Sequence, residues 1–116
     1  MRIRIGYDIA FSSSTPTPTV LMLTVHPSRQ SDLMEPHRIT FDPPIPSHTY
    51  TDHFGNIGTR IVMPPGILTV SSNNVVRDSG LPDAVEPDAG QIPVEHLPDE
   101  SLLEFLLGSR YCVQLP

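Results

Sequence analysis

From Arg2 to Ile9 the chain alternates: Ile3, Ile5, Tyr7 and Ile9 fall on one side, and Arg2, Arg4, Gly6 and Asp8 on the other. A period of two predicts a strand with one face buried. Phe11 to Pro18 is rich in Ser, Thr and Pro and predicts a loop. Val20-Leu21-Met22-Leu23-Thr24-Val25 follows, apolar on both sides, the pattern of a central strand covered on both faces. His26 to Pro36 reads as a connection with one helical turn near Ser31 to Met34. His37 to Asp42 sets Ile39 and Phe41 against Arg38 and Thr40, and Pro43-Pro44-Ile45-Pro46 then ends that strand, because prolines cannot donate to a ladder.

Two stretches, Ser47 to Phe54 and Ile57 to Met63, flank Gly55-Asn56. Both of those residue types accept the positive φ of a tight turn, so Gly55 and Asn56 are the expected structural turn of an antiparallel hairpin. After Pro64-Pro65-Gly66, the β-branched run Ile67 to Asp78 predicts a long strand, with Asn73-Asn74 marking a bulge or bend. From Ser79 to Pro98 prolines and acids replace the alternation, predicting a surface loop or linker. Asp99 as N-cap, Glu100 in the first turn and Gly108 as a stop enclose a two-turn helix over Glu100 to Leu107. The sum is an all-β chain, an antiparallel β-sandwich of immunoglobulin-like type with about six to seven strands and one short C-terminal helix. Its expected division is residues 1–98, the sandwich with its proline-rich loop, and 99–116, the helix and a connector.

The helix changes this picture most. Leu102, Leu103, Phe105, Leu106 and Leu107 surround its axis, whereas a helix lying on one sheet needs an apolar stripe only about 100° wide. It is either tucked into a core or shared with a neighbour, and in isolation it offers a homodimer surface. A second candidate for partner contact is the patch His48, Tyr50 and Asp52, residues that share one face of their strand.

Length and composition set bounds. The 116 residues amount to about one domain. The longest apolar run falls far short of the roughly 20 residues of a membrane-spanning helix, and the first residues do not read as a signal peptide, so no membrane role and a cytoplasmic location are expected. Seven arginines and no lysine stand against thirteen acids, a formal net charge of −6, and no basic face is expected, which disfavours nucleic acid as a partner. Fourteen prolines favour many short segments over long helices.

Chemistry-bearing residues are sparse. The single cysteine, Cys112, follows a helix stop rather than sitting at a helix N-terminus, and reads as an inert thiol rather than a nucleophile. The histidines at 26, 37, 48, 53 and 96 show no close ligand pair, so no metal is expected. Asp52 and His53 resemble part of a triad, but neighbours on a strand point to opposite faces, and Asp52 is better read as fixing the turn through backbone amides with Phe54 packed below it. No glycine-rich phosphate loop occurs, and no cofactor is expected.

Tyr50-Thr51-Asp52-His53-Phe54-Gly55-Asn56 and Leu106-Leu107-Gly108-Ser109-Arg110-Tyr111-Cys112 resemble segments of the N-terminal region of bacterial transglutaminase-like proteins, a group of cysteine-protease-like enzymes. The likeness extends over nearly the whole chain, including the apolar strand running into His26-Pro27 and the strand end Val75-Val76-Arg77-Asp78. It implies a non-catalytic accessory β-domain that positions or stabilises a downstream papain-like domain with a Cys, His, Asp triad. Nothing here matches the motif around that family's nucleophile, so no catalytic residue carries over. The alternative is a sandwich module that recruits a protein, peptide or glycan to the linked enzyme, with its site in loops.

Overall fold

The computed structural model describes residues 1–108. They fall into two compact units, one from Met1 to Leu81 and one beginning at Pro82.

The first unit is built from six strands: β1 (Arg2–Ser13), β2 (Thr17–Leu21), β3 (Thr40–Asp42), β4 (Ser47–Thr51), β5 (Ile57–Met63) and β6 (Gly66–Arg77). They form two three-stranded antiparallel sheets, one in the order β1-β6-β3 and the other β2-β5-β4. Only β4 and β5 are joined as a hairpin within one sheet. Every other connection between consecutive strands passes to the opposite sheet, and each carries proline: Pro16, Pro36, Pro43 with Pro44 and Pro46, and Pro64 with Pro65. A residue without an N–H cannot continue a ladder, so the chain leaves the sheet at these points.

The core lies between the sheets. Leu21, Ile61 and Met63 come from one sheet and Leu68 and Val70 from the other, with Tyr7, Phe11, Leu23, Ile39, Phe41 and Ile45 packed against them. The alternation read in β1 holds to Ser13, because β1 pairs with β6 along its whole length, from Arg2↔Arg77 to Ser13↔Gly66. The chain ends of this unit are tied together: the Met1 ammonium donates to the Asp78 carbonyl at 2.7 Å and the Asp78 amide to the Met1 carbonyl at 3.0 Å.

Several expectations are corrected. The predicted 11–18 loop shrinks to residues 14–16, where hydroxyls close the turn through Ser13 Oγ to Thr15 O (2.7 Å) and Ser13 Oγ to Thr17 Oγ1 (2.8 Å). The apolar run at 20–25 is not a covered central strand. It supplies only the end of β2, an edge strand, and Val20 and Met22 are exposed. The strand expected over 37–42 keeps pairing only at Thr40–Asp42. No bulge occurs at Asn73-Asn74, since the β1–β6 register is continuous. The two side chains are used sideways instead: Asn74 donates to the Glu35 carbonyl at 2.8 Å, and Asn73 accepts from Arg4 at 3.2 Å. The helical turn of the β2–β3 connection is a 3₁₀ helix at Pro27–Asp32, ahead of the position read in the sequence.

Among the described residues the second unit contains two 3₁₀ helices, Val94–His96 and Glu100–Leu106. The latter lies where a two-turn α-helix was expected. Asp99 caps it, accepting from the Ser101 amide at 2.8 Å, but the backbone bonds run i to i−3, as in Leu102 N to Asp99 O and Leu107 N to Glu104 O. A seven-residue segment is too short for cooperative α-helix, so its winding follows the local cap rather than propensity. No helix among the described residues is long and apolar enough to cross a membrane.

Candidate functional site

Three surfaces collect the side chains that matter. The first is a cleft of about 630 Å³ between the sheets. Phe41 of β3 lines it from one sheet, and Ser47 and Thr49 of β4 with Ile57 and Thr59 of β5 line it from the other. Leu33 and His37 of the β2–β3 connection complete it. Alternation positions these groups. Thr59 faces inward with Ile57, Ile61 and Met63, and its register partner Thr49 shares that face. Thr59 is only 2% exposed, and its Oγ1 has no hydrogen-bond partner. Both ring nitrogens of His37 are likewise shut from solvent and unbonded, although the residue as a whole is half-buried. Burial pushes the His37 imidazole below the usual histidine range, so it stands neutral at pH 7.

The second surface is the outer face of β2-β5-β4. His48 lies opposite Arg60, and Tyr50 lies over Gly58, where a Cβ would stand 2.5 Å from the Tyr50 ring. Asp52 does not join them. Its carboxylate accepts from the amides of Phe54 (2.9 Å) and Asn56 (2.8 Å) and from Asn56 Nδ2 (3.1 Å), closing the hairpin loop. Partial desolvation raises its carboxyl, but the bonds from Asn56 and Phe54 outweigh that and hold it below the usual carboxylate range. In the turn, Gly55 alone takes positive φ, at 82°, while Asn56 serves as a donor rather than as a left-handed residue. Phe54 is not packed below the turn. It is about half exposed, with its ring centroid 3.8 Å from that of His53. In place of Asp52 the fold adds exposed Val20 and Val62, the former paired with Arg60.

The third is the Glu100–Leu106 segment. Leu102, Leu103, Phe105 and Leu107 are exposed, Leu107 at 75%, and Leu106 is half-buried. Asp99, held low by its bonds to Ser101, and Glu100 and Glu104 lie among them.

Elsewhere the histidines disperse. His26 caps the 27–32 helix, its Nδ1 accepting from the Ser28 amide at 3.2 Å, and His96 lies in the second unit. Among the described residues no three His, Cys, Asp or Glu side chains form a group that could hold a metal. Cys112 lies outside the described residues. One grouping was invisible in the linear sequence: Arg2 and Arg77 are register partners, and Arg4 and Arg38 line one groove with Asn73 on the outer face of β1-β6-β3. The expectation of no basic face is thus corrected in part: arginines distant in sequence gather on this face, with Asp8 in the same groove.

The described fold is of the mostly β, two-sheet class. Comparison with protein-family models, with curated proteins and with solved structures returned no match.

Proposed function

We propose that this chain is a non-catalytic accessory module of a bacterial transglutaminase-like protein, acting in the cytoplasm. In this reading the two-sheet unit is an immunoglobulin-like sandwich of six to seven strands. It positions or stabilises a downstream domain bearing the Cys, His and Asp of an acyl-transfer or amide-hydrolysis site, and the segment 100–107 makes the contact. The observation that carries the reading is the exposed apolar surface of that segment, with Leu103 at 53% and Leu107 at 75%. Leu102, Leu103, Phe105 and Leu107 are exposed within six consecutive residues, a clustering that supports a covering surface where singly exposed apolar residues such as Val20 do not. The resemblance of residues 50–56 and 106–112 to the N-terminal region of that family supports a transglutaminase-like domain as the partner.

The experiment has two arms. Reading the parent gene beyond Pro116 should reveal a papain-like domain. In that parent, Leu103→Glu with Leu107→Glu should lower the melting temperature of the catalytic part and its turnover while the β-sheet circular dichroism stays unchanged. Turnover and melting unaltered by this pair and by deletion of residues 1–98 would refute the proposal.

A further inference from the structure

We propose that the cleft between β3 and the β4–β5 hairpin binds an uncharged amphipathic small molecule, one with an aliphatic or aromatic body and a hydroxyl or amide group. The site lies wholly within residues 24–59, so it is independent of how the second unit is used.

Thr59 carries the argument. A hydroxyl on the inward face of the central strand β5, 98% removed from solvent and bonded to nothing, is an exception to the rule that buried polar groups are paired. Its neighbours along that face, Ile57, Ile61 and Met63, are apolar, and a valine would fill the same volume without the unmet hydrogen bond. His37, another residue of the cleft lining, repeats the exception with two buried, unbonded ring nitrogens. A neutral imidazole offers one donor and one acceptor, and a hydroxyl offers both, so residues of the lining hold each kind of unmet partner just beneath the cleft surface, within reach of a ligand that shifts them slightly. Around them Leu33, Ile39, Phe41 and Ile57 supply apolar contact. The cleft's 630 Å³ falls within the roughly 300–1,000 Å³ typical of small-molecule sites, which pair an apolar lining with a few polar groups.

Charge decides the ligand class. No arginine lines the cleft, and its one acid, Glu35, is exposed. A carboxylate placed beside Thr59 would lose its water without gaining a cation, and an ammonium there would lie away from a carboxylate that keeps its own solvation. A neutral head group avoids both costs.

The test uses the full 116-residue chain and five probes sharing one body: 3-phenylpropanol, 3-phenylpropanamide, 3-phenylpropanoate, 3-phenylpropylammonium and propylbenzene. Amide resonances are followed by two-dimensional NMR. The alcohol and the amide should give saturable shifts at Phe41, Thr49 and Thr59 and should bind more tightly than either ion. Thr59→Val should weaken the alcohol and the amide by about three- to tenfold, the worth of one hydrogen bond, and leave propylbenzene unchanged. Thr59→Ser should retain the discrimination. Because Thr59→Val removes an unmet hydrogen bond, its melting temperature should equal or exceed that of the parent chain. Absence of saturable shifts with every probe, tighter binding of an ion, or equal alcohol binding by Thr59→Val would overturn the assignment.

Discussion

The face assignment of β6 can be tested at two adjacent residues. Leu68 is fully buried, whereas Ile67, one residue earlier, is 68% exposed, because the β1–β6 register sends them to opposite faces. Leu68→Ala removes a side chain packed among Leu21, Ile61, Met63 and Val70, and core leucine truncations cost about 2–5 kcal/mol. The residues Met1 to Leu81 should have a total stability of about 4–12 kcal/mol, at 0.05–0.15 kcal/mol per residue. One truncation therefore removes a large part of it. Ile67→Ala exposes no core and should cost less than about 1 kcal/mol. Urea unfolding followed by far-ultraviolet circular dichroism separates the two. With slopes of about 1–3 kcal/mol per molar, the Leu68→Ala midpoint should fall by about 1 M or more, and that of Ile67→Ala by a few tenths. An equal or larger fall for Ile67→Ala would mean that β6 presents its other face to the core, and the register would be wrong by one residue.

Other perturbations address single contacts. Gly6→Ala should destabilise by about 1–3 kcal/mol in the same assay, because its Cβ would lie 2.5 Å from the Ser72 carbonyl oxygen, a backbone atom held in the β1–β6 ladder. Arg2→Glu should stabilise by about 0.2–1 kcal/mol at low salt, replacing a cross-strand pair of like charges with an attraction to Arg77, and the gain should shrink in 1 M NaCl. Burial depresses the His37 imidazole, so the unfolded chain binds a proton that the folded chain resists. Its contribution to stability is complete above about pH 6.5 and is lost as the pH falls below that value toward the lower folded pKa. His37→Gln should flatten that segment of the stability profile.

What the sequence revealed was mainly local. The β4–β5 hairpin was legible because Asp52, Gly55 and Asn56 close it with bonds between residues at most four apart. The alternation of β1 was legible because one face meets the core and the other water. The apolar run at 20–25 misled because the rule that apolar residues belong inside does not run backwards: Val20, on an edge strand, and Met22, just beyond it, lie in the open. The Asn73-Asn74 pair misled because its side-chain partners, Arg4 and Glu35, lie 69 and 39 residues away. Separation along the chain also hid the cleft. His37 and Thr59 are unremarkable residues until two sheets put them on one cavity, and no spacing rule joins them.

Charge shows how the proposed contact at 100–107 would work. In residues 1–81 the arginines at 2, 4, 29, 38, 60 and 77 balance the acids at 8, 32, 35, 42, 52 and 78. Residues 82–108 carry the acids at 83, 86, 88, 95, 99, 100 and 104 with no arginine or lysine, so the chain's negative charge resides there. A surface that covers Leu103 and Leu107 comes close in sequence to Asp99, Glu100 and Glu104, and the complement expected of it is an apolar groove with a basic rim. Rim charges act chiefly on the association rate and its salt dependence, while the buried leucines set the dissociation rate. Between 50 and 500 mM NaCl, the association rate with the proposed downstream domain, supplied as a separate chain, should therefore fall steeply while dissociation changes little. Glu100→Gln with Glu104→Gln should remove most of that salt dependence, and Leu103→Ala should leave it intact while speeding dissociation. A salt dependence untouched by the paired glutamine substitutions would place the electrostatic contact elsewhere on the chain, with the arginines of β1 and β6 the next surface to test.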